Sequence, residues 1–455
     1  MVKRLHGKLN LYHERDSHDR MSSDQISLGE ALAMAIGGMV GGGIFAVLGV
    51  VAVEAGPAAW LAFVASGVIA FCAGYSALRL NAQADGQLNP IAYVEQFTGS
   101  TTLAGMTGWT FIAGYVGTMS LYAYAFGGYF AELVGVESVV GLPLRSLITL
   151  LAIIVFVGLN LAGAHASGRT EDVLVGLKVL ILLVFGLGGL YYGFQQGMIR
   201  SGLGNLEVSA LLAAAIGFVA FEGWELLLFD QNSIENPQQT IRKAIYGSIV
   251  GATALYVIVA VVTTNLVSTQ VIQQNSETAL AVAAEPFLGQ FGFLLISVAA
   301  LFSTGSALNA TLFSASRLSK MLVADDLLPN ELHGSNSDEP VRPLLVLGVL
   351  TALLSSLGSL NAISSFASLS FISIFGGLSL LAFLERESVV TALLPAIGCL
   401  GASGAIVGLL YHLATAEPAV FVTVLAIAIA VITTELLYFE RSSILAEARD
   451  LEHRL

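Results

Sequence analysis

Ala35 to Phe45 reads Ala-Ile-Gly-Gly-Met-Val-Gly-Gly-Gly-Ile-Phe, at the centre of an uncharged run from Ala31 to Val53. A run of this length satisfies the roughly 20 apolar residues that a helix needs to cross a bilayer core. Five of the seven residues at positions 37–43 are glycine. Each glycine inside a helix costs about 1 kcal/mol relative to alanine, a cost that a simple anchor has no reason to carry. Irregular backbone inside a membrane is tolerated where it is buried in protein or lines a polar cavity. The stretch therefore predicts two half-helices, residues 27–38 and 44–53, around an unwound centre. Backbone N–H groups at the start of the second half would then suit an anion such as a carboxylate. The competing reading is close helix packing through small residues, which glycine serves equally well.

The rest of the composition agrees with a membrane setting. The 455 residues are 56% hydrophobic and 11% charged, with a mean hydropathy of +0.81. Soluble domains carry about 25% charged residues. The fold class expected is an all-α polytopic membrane protein. Cys72 and Cys399 both sit in apolar runs, without a disulfide or metal spacing. The first 25 residues are polar and charged, unlike a cleavable signal peptide. A net charge of −13 gives no reason to expect a nucleic-acid partner. The pairs Asp325-Asp326 and Asp338-Glu339 and the acidic C-terminal tail indicate an acid-rich solvent face, of a kind that suits a high-salt cytoplasm.

Apolar runs predict twelve spans: residues 26–54, 58–80, 103–133, 146–161, 173–194, 208–229, 244–267, 287–322, 344–357, 362–384, 389–412 and 420–439. With both termini inside, sixteen of the nineteen Lys and Arg residues face the cytoplasm; Arg145 and Arg200 face outward, and Lys178 lies within a span. That bias follows the positive-inside rule. The expected organisation is a cytoplasmic tail (1–25), a ten-helix core (26–384), two peripheral helices (385–439) and a second cytoplasmic tail (440–455). Residues 81–99 are expected to run along the cytoplasmic interface. Residues 268–286 should form an extracellular loop, with a short helix at 279–284 over the substrate entrance.

The sixth span repeats the anomaly of the first. Phe-Val-Ala-Phe-Glu-Gly-Trp-Glu, from Phe218 to Glu225, places two carboxylates in an apolar run. A charge at the centre of a lone helix costs at least about 2.5–3.5 kcal/mol, so these groups belong in a protein-lined interior. Paired interrupted spans at matching positions of two halves are the best sequence pointer to a transporter site. Buried structural partners of a positive group are the alternative for Glu222 and Glu225.

Four stretches carry a more specific likeness. Gly38 to Phe45 resembles the first-helix signature of the amino acid–polyamine–organocation (APC) permeases, usually Gly-Ser-Gly-Ile-Phe. Phe218 to Glu225 resembles the sixth-helix break of that superfamily. Asn-Pro-Gln-Gln-Thr-Ile-Arg-Lys-Ala-Ile, from Asn236, resembles its Asn-Pro-x-x-Thr-Ile-Pro-x-Ala-Ile loop, and Ser316 to Pro329 the end of its eighth helix. The resemblance implies a LeuT-like fold, a 5+5 inverted repeat with helices 1 and 6 broken, plus two peripheral helices. It also implies a secondary amino-acid permease working by alternating access at the cytoplasmic membrane. Backbone N–H groups of Gly42 and Gly43, beside Gly41, would take the substrate carboxylate, and carbonyls near Met39, Val219 and Glu222 the ammonium group. Gly42 departs from the pattern, since many members have serine or alanine there. Val219 sits where some exchangers carry a gating tryptophan, which argues against an arginine–agmatine type.

Lys178 is the single basic residue at mid-depth. It resembles a fifth-helix lysine of many APC permeases, whose ammonium stands in for the sodium of sodium-coupled relatives. This favours proton-coupled or uncoupled transport over sodium coupling, with protons as the expected coupling ion; a fixed cation tethering the fifth span to carbonyls of the first is the plainer reading. Glu225 matches an often acidic family position and is the second proton-coupling candidate. Glu222 either favours a substrate with a second positive group or pairs with Lys178. Ser303 and Thr304 are weak sodium-site candidates, because Ser and Thr commonly bond their own helix backbone. Tyr115, Tyr122 and Tyr129 share a face of the third span and read as cavity wall or as packing. Trp224 reads as gate or as interface. No cofactor, nucleotide-binding loop or intramembrane histidine chemistry is indicated, so an enzyme is not expected. An amino-acid/polyamine exchanger and a non-transporting sensor remain open on the same fold, as does the oligomeric state.

Overall fold

A computed structural model describes residues 25–84, 88–163, 168–203, 208–332 and 340–439. Residues 1–24 of the first expected tail, the whole of the second and the Asp338-Glu339 pair fall outside these residues. Within them the chain forms the twelve expected spans, helical except for an interruption in the sixth: residues 28–55, Ala59–Gln83, Thr101–Val134, Leu144–Leu161, Gly168–Gln195, 208–229, Pro237–Leu266, Ala279–Ala324, Val341–Leu357, Leu360–Leu384, Val389–Ala416 and Pro418–Phe439. A two-stranded hairpin, Ser138–Val139 with Leu142–Pro143, links the third span to the fourth.

Local chemistry sets the helix starts. Ser27 caps the first span in a reciprocal box with Glu30, which satisfies two orphan N–H groups of the first turn. Asn89 caps the short helix Pro90–Thr98, accepting from the N–H groups of Ile91 and Ala92 at 3.0 Å each. The Asn236-Pro237 pair opens the seventh span. Asn236 takes a left-handed conformation (φ 45°) and Pro237 occupies the first helical turn, where its missing N–H costs nothing. Thr240 Oγ1 then closes that turn on the Glu235 carbonyl at 2.6 Å.

Burial separates core from periphery. In the 28–83 segment 83% of the most apolar window is inside the protein, against 22% for the eleventh span and 11% for the twelfth. The outer spans expose Ile154, Leu187, Leu400 and Val422, as a bilayer-facing surface requires. The first and sixth spans lie inside, packed on the third, seventh, eighth and tenth.

The loop expected to cover the entrance holds a further helix, Thr269–Gln274. The short helix expected at residues 279–284 runs on to Gly289, whose backbone (φ 61°) bends it into the eighth span.

Candidate functional site

The two interrupted spans meet, but they are interrupted differently. In the first, residues Met39–Gly43 form one π-helical turn between Leu28–Gly38 and Ile44–Ala55. Gly38, Met39, Gly43 and Ile44 all keep right-handed helical backbone. The expected unwound centre is therefore corrected to a widened helical turn. Its physical reason lies in what the glycines touch. A Cβ on Gly38 would lie 2.8 Å from the Gly223 Cα, and one on Gly43 would lie 2.6 Å from the Ala220 Cα. One on Gly41 would lie 2.9 Å from the Ala307 Cβ, and one on Gly42 would enter the Tyr122 ring. The glycines admit neighbours at backbone distance rather than freeing the backbone.

A wide turn also tips carbonyls out of the helix, and neighbouring spans take them up. Lys178, from the fifth span, donates to the Gly37 carbonyl and to Ser306 Oγ, each at 3.5 Å. Ser303, from the eighth, faces the carbonyls of Val40, at 3.1 Å, and of Gly41. Tyr129 donates to the Phe45 carbonyl at 3.2 Å. Thr304, by contrast, bonds its own helix at Ala300.

The sixth span is broken outright. Phe218–Phe221 tightens into a 3-10 turn, Glu222 is extended and Gly223 sits at φ 125°. Helix resumes only for Leu226–Phe229. The freed backbone is met from outside: Ser364 and Ser368 donate to the Ile216 carbonyl, Val219 N–H donates to Ser368, and Tyr256 donates to the Ala220 carbonyl. Such compensation is what a membrane interior demands of any non-helical segment.

Both carboxylates at this break are buried, and each has a tyrosine from the third span. Tyr122 donates to Glu222 Oε2 at 3.2 Å and Tyr115 to Glu225 Oε1 at 3.4 Å. Glu225 Oε2 also accepts the Gly223 N–H at 2.8 Å, which pins the sharp turn. The tyrosine face thus contacts both interruptions, a polar role that seven-residue spacing alone did not distinguish from packing. Trp224 is fully buried and tilted against Phe375, with ring centroids 4.8 Å apart. Its indole N–H has no hydrogen-bond partner among the described residues. Met39, Gly41, Gly42, Gly43, Val219, Glu222 and Trp224 are brought together around this junction, with Lys178 Nζ beside Gly41 and the Gly37 carbonyl.

Both ends of the junction are closed. At the Leu28 end, Ile26 N–H donates to Ser233 and Glu235 N–H donates back to Ile26, at 2.8 and 3.0 Å. Gln231 adds bonds to Asn81, Leu88 and Leu228. At the Glu54 end, the Ser276 carbonyl presses on Gly49 and Ile272 packs on Ala52. Beside them Arg145 Nη1 holds Glu277 Oε1 and Tyr124 Oη, each at 2.6 Å. Burial raises the Glu277 carboxyl above its ordinary value, against the opposite pull of Arg145. The sequence pointed to the 268–286 loop as a cover but not to its contacts with Gly49, Ala52 and Arg145, and it gave no sign of the Ile26–Ser233 seal, because these partners are far apart in the chain.

The amino acid permease profile matches residues 26–388, most of the chain. This chain belongs to the amino acid permease family. An uncharacterized protein of Methanocaldococcus jannaschii is 33% identical over 75% of this chain and 79% of its own length. An inner membrane transport protein of Escherichia coli is 27% identical over 85% of this chain and 90% of its own. Among solved structures, a manganese transporter of Eremococcus coleocola superposes with a TM-score of 0.58 at 13% identity, covering 92% of this chain and 94% of that one. The likeness is one of fold, and it supports the LeuT-like arrangement that the family resemblance implies. This permease is a multi-pass membrane protein, and its family is one of amino-acid transporters.

Proposed function

We propose that this permease is a secondary active transporter that carries amino acids across the cytoplasmic membrane by alternating access, coupled to protons. One observation carries the reading. The break at Glu222 and Gly223 lies against the π-turn of the first span, and both ends of that junction are closed by separate polar seals. Two seals on one buried junction are what alternating exposure requires, since each must open in turn.

In this reading residues 26–384 form the transport core and 385–439 the peripheral pair, with both termini cytoplasmic. The substrate sits where the Tyr122 ring now covers Gly42, its carboxylate toward the N–H groups of Gly42 and Gly43. Its ammonium faces carbonyls near Met39, Val219 and Glu222, and Trp224 lies at the edge. Tyr122 must swing aside for the carboxylate to reach Gly42. Lys178 and Glu225 carry the proton coupling. A lysine bound to the Gly37 carbonyl holds the first span while charged and releases it when neutral, which ties protonation to movement of the half-helix.

Uptake of a labelled amino-acid mixture into proteoliposomes, with each species counted separately, tests this. Uptake driven by a pH gradient and indifferent to sodium is expected. Lys178→Ala should lose the pH drive. Unchanged pH-driven uptake in that variant would refute its role. Sodium-driven uptake would move the coupling site toward Ser303. Binding without net uptake would indicate exchange or sensing, and preloading with unlabelled amino acid would separate those two.

A further inference from the structure

A polar cluster lies away from the junction, at the Glu54 end of the molecule. His412, near the end of the eleventh span, places Nε2 3.2 Å from Glu54 Oε2, in the last turn of the first span. Glu417, which precedes the twelfth span, completes the group: one ligand atom from each of the three side chains lies within 4.8 Å of the others. His412 and Glu54 are only 13% and 16% exposed. The His412 Nε2 is buried, and no hydrogen-bond geometry satisfies it among the described residues. Asn361 Nδ2, at the start of the tenth span, lies 2.7 Å from each Glu417 oxygen and orients that carboxylate.

We propose that Glu54, His412 and Glu417 form a divalent transition-metal site of zinc type. Zinc takes imidazole nitrogen and carboxylate oxygen at about 2.0–2.2 Å. Ligand atoms around one tetrahedral ion therefore stand roughly 3.3–3.6 Å apart. The His412–Glu54 pair, at 3.2 Å, is already close to that spacing, and Glu417, within 4.8 Å, reaches it by a small side-chain movement. Two carboxylates and a neutral imidazole also balance the charge of a divalent ion, which a half-buried position favours. The imidazole selects zinc, copper or nickel over calcium and magnesium, which prefer all-oxygen shells. Asn361 is the outer-shell partner that such sites usually have.

The position gives the ion a consequence. It ties the second half-helix of the first span to the tenth, eleventh and twelfth spans, on the same end where Ser276 caps Gly49. A bound ion would hold that half-helix in its closed position and slow transport. This last step rests on the alternating-access reading, whereas metal binding does not.

The test uses the full chain in lipid nanodiscs, titrated with zinc chloride against a fluorescent zinc indicator. The wild type should bind one more zinc per chain than His412→Ala. The other six histidines, at positions 6, 13, 18, 165, 333 and 453, contribute equally to both, so the difference reports the cluster alone. Glu54→Gln and Glu417→Gln should each weaken the site at least about tenfold. Asn361→Ala should keep the stoichiometry at an affinity lower by about tenfold, the usual cost of losing an outer-shell partner. Calcium should not displace the zinc. Equal zinc binding by the wild type and His412→Ala would overturn the site. Should His412→Ala prove unstable, unchanged binding by the near-isosteric Glu54→Gln would overturn it instead. Chelator-reversible slowing of uptake by zinc, absent in His412→Ala, is expected; zinc binding that leaves uptake unchanged would overturn the latch and keep the site.

Discussion

The first and sixth spans are both interrupted, yet the interruption with five glycines, residues 37–43, stays helical and the one with a single glycine, Phe218–Glu225, breaks. At residues 37–43 the backbone remains right-handed throughout, and the glycines serve contact with Gly223, Ala220, Ala307 and Tyr122. At Glu222 and Gly223 the chain turns because one residue adopts φ 125°. Glu225, two residues on, accepts the Gly223 N–H and locks the turn. Glycine number therefore measures how closely neighbours approach, and it says little about unwinding. The break needs a residue that tolerates positive φ together with an acceptor that holds it there. The two features depend on each other, since Gly38 and Gly223 are mutually the surface against which the other is cut.

The largest effect is expected from Gly43→Leu. Its Cβ would lie 2.6 Å from the Ala220 Cα, and backbone cannot step aside as a flexible side chain can. Amino-acid uptake should fall to background while the protein still inserts and elutes as a single species. Uptake at wild-type substrate affinity would break the claim that this contact is a rigid part of the junction. Gly223→Ala ranks next. Alanine at that φ costs roughly 1–3 kcal/mol in backbone strain, and its Cβ would also meet the Gly38 Cα at 2.7 Å. A lower apparent Tm and reduced transport are expected. A variant with unchanged Tm would mean that the break moves freely between backbone states.

How much of this was legible in the chain divides along the same line. The twelve spans were readable because lipid demands long apolar runs, and Glu222 and Glu225 announced the sixth break because charge is costly at mid-depth. The geometry of the first interruption was not readable, since a glycine-rich stretch is equally compatible with unwinding and with close approach. Lys178 lies beside the Gly37 carbonyl of the first span, a contact of the kind that the plainer of its two readings describes. Its expected alternative partner, Glu222, takes a hydrogen bond from Tyr122. The cluster of Glu54, His412 and Glu417 escaped notice because Glu54 stands far from the other two in the sequence. Only tertiary packing of the eleventh span on the core brings them together.

Gly41→Ala sharpens the comparison at a smaller scale. Its Cβ would meet the Ala307 Cβ at 2.9 Å, a contact between two small groups that a slight outward shift of the eighth span relieves. A modest drop in transport is expected, and it should be partly restored by adding Ala307→Gly. Additive effects in that pair would show that the approach of these two helices does not set the junction.

The smallest effect belongs to Ser303→Ala. The hydroxyl faces carbonyls that the π-turn tips out of the first span, and losing one such bond costs about 0.5–1.5 kcal/mol. Because the carbonyls of Val40 and Gly41 are buried, the loss should appear in the stability of the π-turn itself. Amide exchange across residues 39–45 should accelerate in the variant while exchange around Gly223 stays unchanged. Equal acceleration at both places would show that the two interruptions open as one unit, and the distinction between a widened turn and a broken one would then be static only.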